Sequence, residues 1–119
     1  MSEHVYWILD VGIKPGQLEA FKALMTEMVA ATEANEPGTL SYEWTLSADQ
    51  GTCHIYERYA DSAAVMTHLK WFGEECAARF MAVAEPHRIT VYGTPDATTR
   101  KALDRMGAVY MAPIGGFVR

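Results

Sequence analysis

An α+β fold in the order strand, helix, strand, strand, helix, strand is predicted by three observations. Runs rich in Val, Ile, Tyr and Trp alternate with segments whose apolar residues recur at helical spacing. Breaks carrying Gly or Pro separate those runs. The 119 residues are 50% hydrophobic and 21% charged, the composition of one globular domain with a real core.

The first strand is read over Val5 to Val11 and ends before Lys14-Pro15-Gly16. From Leu18, the positions Phe21, Leu24, Met25, Met28 and Val29 continue an apolar stripe at three- and four-residue steps, with Glu19, Lys22 and Glu27 on the other side. That helix should end near Glu36-Pro37-Gly38. Strands over Thr39 to Leu46 and Cys53 to Tyr59 flank Ser47-Ala48-Asp49-Gln50-Gly51, which has hairpin turn chemistry. Asp61-Ser62 offers a helix start, and Val65, Met66, Leu69, Phe72, Cys76 and Phe80 extend the stripe to a break at Glu85-Pro86. A fourth strand over Arg88 to Tyr92 completes a ferredoxin-like βαββαβ unit with an antiparallel sheet.

Residues 1–94 are expected to form this domain, and residues 95–119 a C-terminal helix and strand extension packed on the same domain or on a partner subunit. Alternation puts Cys53, Ile55, Glu57 and Tyr59 on one sheet face and His54, Tyr56 and Arg58 on the other, so both faces carry bulk. Two helices cover only one face of such a sheet, which leaves the second to be covered by something else.

A net charge of -5 without any basic stripe argues against a nucleic-acid partner. Apolar windows fall short of the ~20 residues of a membrane span, and no basic segment precedes an apolar one at the N-terminus, so no membrane partner and a cytoplasmic location are expected. Cys53 and Cys76 are expected to be reduced and buried, and neither CxxC nor HExxH zinc spacing occurs. His4, His54 and His87 are read as solvent-facing or interface residues.

Lys14-Pro15-Gly16, Glu36-Pro37-Gly38 with Tyr42-Glu43 after it, Tyr56-Glu57-Arg58-Tyr59, Asp61 and a His68 eleven residues beyond Glu57 follow one another in a fixed order. Together they resemble the antibiotic biosynthesis monooxygenase family over residues 5–93. The resemblance implies a homodimer forming a dimeric α+β barrel, in which the partner's sheet covers the second face. It also implies a monooxygenase that needs neither metal nor flavin and acts on a small electron-rich aromatic such as a quinol, anthrone or polyphenol. A related branch degrades haem with a strand-one Asn, a helical Trp and a His; here those helical positions hold Met66 and Cys76 and strand one has no Asn, which argues against haem.

His68 is the candidate base, since imidazole titrates near neutral pH and Met66, Leu69 and Phe72 give it apolar neighbours; the alternative is a packing histidine. Glu57 is the second candidate catalytic residue, because a carboxyl on a buried face needs a partner or a raised pKa; the alternative is a structural ion pair. Trp7, Trp44, Tyr56, Met66 and Phe72 are the candidate substrate-binding residues, as aromatic rings and thioethers suit a flat ligand, although the same residues also serve as ordinary core. The competing function is a non-catalytic dimeric module that binds a small hydrophobic ligand.

Overall fold

The computed structural model describes residues 2–119. It contains β1 (Val5–Ile13), α1 (Leu18–Asn35), β2 (Thr39–Leu46), β3 (Thr52–Tyr59), α2 (Ser62–Glu75), α3 (Ala77–Val83), β4 (Ala84–Gly93), α4 (Ala97–Asp104) and β5 (Val109–Met111). One five-stranded sheet runs β2-β3-β1-β4-β5. All neighbours are antiparallel except β5, which pairs parallel to β4 through Thr90↔Val109 to Tyr92↔Met111.

Strand alternation divides the sheet into two unlike faces. The inner face carries Val5, Trp7 and Val11 of β1, Cys53, Ile55, Glu57 and Tyr59 of β3, and Ile89 and Val91 of β4, all buried. Helices α1, α2 and α3 pack over it, with Phe21, Leu24, Met28, Phe80 and Val83 forming one cluster around Val11 and Ile55. A second cluster joins Val5, Trp7, Tyr59 and Val65 to Leu103 of α4. The extension therefore supplies core: Leu103 is fully buried, whereas Ile114, Phe117 and Val118 beyond β5 are exposed.

Local chemistry sets the boundaries. Asp61 caps α2 by accepting from the Ala64 N–H at 2.9 Å, and Asp96 caps α4 by accepting from the Thr99 N–H at 2.9 Å. Gly93 has φ +95, and a Cβ there would stand 2.4 Å from the His4 carbonyl oxygen, so only glycine closes β4 beside the start of β1. Both cysteines are free and buried, and burial pushes the Cys53 thiol up to about 11, which keeps it neutral.

Two expected boundaries are corrected. The stripe from Val65 to Phe80 is two helices, broken at Cys76, whose φ of -126 leaves the helical region while its N–H still bonds to the Phe72 carbonyl. The fourth strand begins at Ala84, ahead of Arg88 and through Pro86. Pro86 is tolerated because β5 pairs only with Thr90–Tyr92, leaving the first half of β4 an edge strand on that side. The register shift between Asp10 and Val11 skips His87, whose ring settles over Gly12, where a Cβ would meet it at 2.7 Å.

Candidate functional site

Three buried ionisable side chains from three elements meet beneath the sheet. Glu36 is the C-cap residue of α1, Glu57 lies on the inner face of β3, and His68 is on the inner side of α2; they are 7%, 4% and 3% exposed. His68 Nδ1 lies 2.9 Å from Glu36 Oε1, and His68 Nε2 lies 3.3 Å from Glu57 Oε1. The imidazole thus bridges two carboxyl groups. Among the described residues it is the only basic side chain paired with either of them.

A hydroxyl donates to the His68-facing oxygen at each end of this row. Thr39 Oγ1 donates to Glu36 Oε1 at 3.0 Å, so that oxygen acts as an acceptor and His68 Nδ1 is the donor to it. Nε2 faces Glu57 Oε1 at 3.3 Å. At the far end the Tyr59 hydroxyl donates to Glu57 Oε1 at 2.5 Å. The Tyr42, Tyr59 and Trp71 rings stand 5.2, 5.4 and 5.4 Å from the imidazole, an aromatic box that excludes water.

Burial raises the Glu57 carboxyl above its ordinary value; His68, the Tyr59 hydroxyl and the Trp7 indole N–H oppose the shift, and Glu36 adds to it. Burial likewise raises the Tyr59 phenol, reinforced by Glu57, so Tyr59 is a neutral donor. The raised Glu57 carboxyl and the Nε2 atom of His68 face each other at 3.3 Å.

Glu57 and His68 line a cavity of about 420 Å³ between the sheet and the helices. Its walls are mostly apolar, with Leu9, Ile55, Phe72 and Phe80 among them, and His87 and Arg88 also line it. Met81 and Met106, both largely exposed, line it as well, where it approaches solvent. An apolar chamber with an acid-base pair in its wall is suited to moving a proton on or off a hydrophobic ligand.

Of the residues expected from the sequence, His68, Glu57, Trp7 and Phe72 come together at this cavity. Three do not. Trp44 packs in the first core cluster at 5.6 Å from the Phe21 ring and does not line the cavity. Met66 is half-buried on α2 and is also absent from the lining. Tyr56 is on the opposite sheet face, where Arg58 Nε donates to its hydroxyl at 2.9 Å and Tyr6 is 6.5 Å away; strand alternation from Glu57 puts it there. Glu36 and Tyr59 were missed. Glu36 reads in sequence as part of a helix-ending Glu-Pro-Gly turn, and the one available signal was Thr39 three residues later. Tyr59 shares a strand face with Glu57, so its position was legible even though its bond was not.

The sequence profile of the antibiotic biosynthesis monooxygenase family matches residues 5–71. Among solved structures, the chain is similar to MupZ from Pseudomonas fluorescens, with 25% identity and a TM-score of 0.87 over 99% of this chain and 96% of that one. It also resembles SnoaB from Streptomyces nogalater, a cofactor-independent oxygenase, with 15% identity and a TM-score of 0.67 over 81% of this chain and 97% of that one. Rv0793 from Mycobacterium tuberculosis is 28% identical, with a TM-score of 0.61 over 78% of this chain and 96% of that one. No curated protein sequence matches the chain.

The raised carboxyl has a measurable consequence for stability. A group whose pKa rises on folding binds its proton more tightly in the folded state, so its contribution is complete below the unfolded pKa and is lost as pH climbs through the folded one. The stability of the native chain relative to Glu57→Gln is therefore expected to fall as pH rises above 4.5, the ordinary value for this carboxyl. Urea midpoints of both proteins from about pH 4 to about pH 8 check this, and a difference that stays flat with pH contradicts it.

Proposed function

Because this chain belongs to the antibiotic biosynthesis monooxygenase family, we propose that it is a cofactor-independent monooxygenase for a small electron-rich aromatic such as a quinol, anthrone or polyphenol. The observation that carries this reading is the hydrogen-bonded chain Glu36···His68···Glu57, whose inner end lines an apolar cavity. The cofactor-independent oxygenase activity of the similarly folded SnoaB supports it.

Glu57 and His68 supply the proton transfer. In the ion-paired form of the couple, Glu57 is a carboxylate and His68 an imidazolium. Glu57 accepts the acidic proton of the substrate, and the imidazolium stays balanced by Glu36. The substrate anion passes one electron to dioxygen, and the resulting radical and superoxide combine in a C–O bond. For an anthrone, the ring methylene and one dioxygen yield a ring carbonyl and one water: the proton held by Glu57 is returned to the peroxide anion, and the resulting hydroperoxide loses that water. The apolar walls keep bulk water away from the anion.

Oxygen uptake with a panel of anthrones and hydroquinones is expected for the native chain, with kcat lowered by at least about 10²-fold in His68→Ala, the usual worth of a positioned acid-base group. An inert panel, or uptake unchanged by the substitution, contradicts the reading. Native mass spectrometry separates it from a non-catalytic binding module: an oxygenated ligand leaves with the enzyme, an unaltered one with a binder.

A homodimer is part of this proposal. The outer sheet face carries Tyr6 stacked on Tyr92 at 5.2 Å, with the Arg58 guanidinium 3.9 Å from the centre of the Tyr6 ring, and among the described residues the helices α1, α2 and α3 pack on the other face. A second sheet placed there buries these rings and gives an isologous two-fold contact. Sedimentation at micromolar concentration is expected to give twice the chain mass, and a stable monomer contradicts the pairing.

A further inference from the structure

The cavity opens along an unfinished edge of the sheet. β5 pairs with β4 only over Thr90 to Tyr92, so Ala84 to Ile89 are a free edge on that side, and the Met106-Gly107 turn ahead of β5 does not extend the pairing. Pro86 to Ile89, Met106, Gly107 and Met81 of α3 all line the cavity, and both methionines are largely exposed. The chamber of the acid-base pair therefore meets solvent through a gap rimmed by thioethers and unpaired strand backbone, the kind of surface that takes up an apolar segment.

The C-terminal tail has the chemistry to fill such a gap. Beyond β5, Ile114 and Phe117 are almost wholly exposed and Val118 is half exposed, and among the described residues no other large apolar side chains are as bare as the first two. Burying them removes apolar surface from water. The chain's own opening is out of their reach. β5 is parallel to β4, so the chain leaves Met111 past the Tyr92 end, away from Ala84 to Ile89. It bends at Gly115, next to Gly116 with φ +103. After that bend Phe117 to Arg119 span at most ~10 Å, whereas the way back from Tyr92 to Pro86 is ~20 Å of strand.

A second copy removes the mismatch. In a two-fold sheet-on-sheet contact whose axis crosses the strands, the Gly93 end of one β4 lies over the Ala84 end of the other, and each tail emerges beside the other chain's free edge. We propose that the C-terminal tail of a second copy docks in this opening, with Ile114, Phe117 and Val118 packed on Met81, Met106 and the free half of β4, so that each cavity is closed by the other chain. This rests on the pairing of two copies proposed above, and adds that the site is incomplete in one chain alone. Water and ligand then pass only when the tail lifts.

The test mixes two forms of the full chain, unfolded and refolded together: one deuterated with 13C-methyl methionine, the other protonated. Nuclear Overhauser contacts from the Phe117 ring to the Met81 and Met106 methyls are expected in the mixture, and are expected to vanish when the protonated form carries Phe117→Ala. A second measurement needs no mixing. Peroxide is expected to oxidise Met81 and Met106 roughly three- to tenfold faster in Ile114→Ser/Phe117→Ser than in the native chain, since susceptibility follows exposure, while Met66, outside the cavity, keeps its rate. Contacts seen only when Phe117 and the methionines share one chain assign the opening to the chain's own tail and overturn the proposal. A chain that sediments as a dimer with neither the contacts nor the faster oxidation overturns the docking and leaves the pairing standing; a monomer overturns both. Oxygen uptake is not among these readouts, so the oxygenase reading stands or falls separately.

Discussion

Two carboxyl groups and an imidazole, shut away from water with no Lys or Arg paired to them, must satisfy one another or the fold carries uncompensated charge. That constraint joins the end of α1, the inner face of β3 and the middle of α2 at a single point. Removing any member leaves a buried polar group unpaired, a cost of several kcal/mol by the usual behaviour of broken buried pairs, roughly 3–5. The Glu-Pro-Gly turn after α1 then has a second purpose. It stops the helix where the Glu36 side chain can turn inward, and it delivers Thr39 to the same oxygen at 3.0 Å.

The rest of the site follows from where the sheet puts its bulk. Strand alternation brings Tyr42, Glu57 and Trp7 into one row, and the helices above that row leave a mostly apolar cavity. Burial among these walls is what keeps the Glu57 carboxyl raised. In the proposed reaction, acid-base strength and substrate preference come from one physical source, the exclusion of water from the inner face.

Much of this was legible in the sequence because it obeys period. The four sheet-forming runs of the βαββαβ unit, the apolar stripe of α1, the Asp61 cap and the burial of Glu57 beside Tyr59 all follow from spacing and turn chemistry. His68 was legible as a polar residue on an apolar stripe. What resisted was whatever depends on side-chain direction at a break in the period. Glu36 sits after the last helical residue, where the stripe no longer predicts orientation. Cys76 keeps the apolar spacing while its backbone leaves the helix, so one stripe conceals two helices. Pro86 argues against a strand until β5 is seen to pair only farther along β4. Tyr56 is a different kind of miss, since alternation from Glu57 already assigned it to the outer face.

The most direct measurement is the 15N spectrum of the His68 ring at neutral pH. The account predicts a hydrogen on Nδ1, held by Glu36, with the Nε2 resonance displaced from that of a bare lone pair by the proton shared with Glu57. A hydrogen fixed on Nε2 opposite an unprotonated Nδ1 would reverse the direction of the chain and contradict the account.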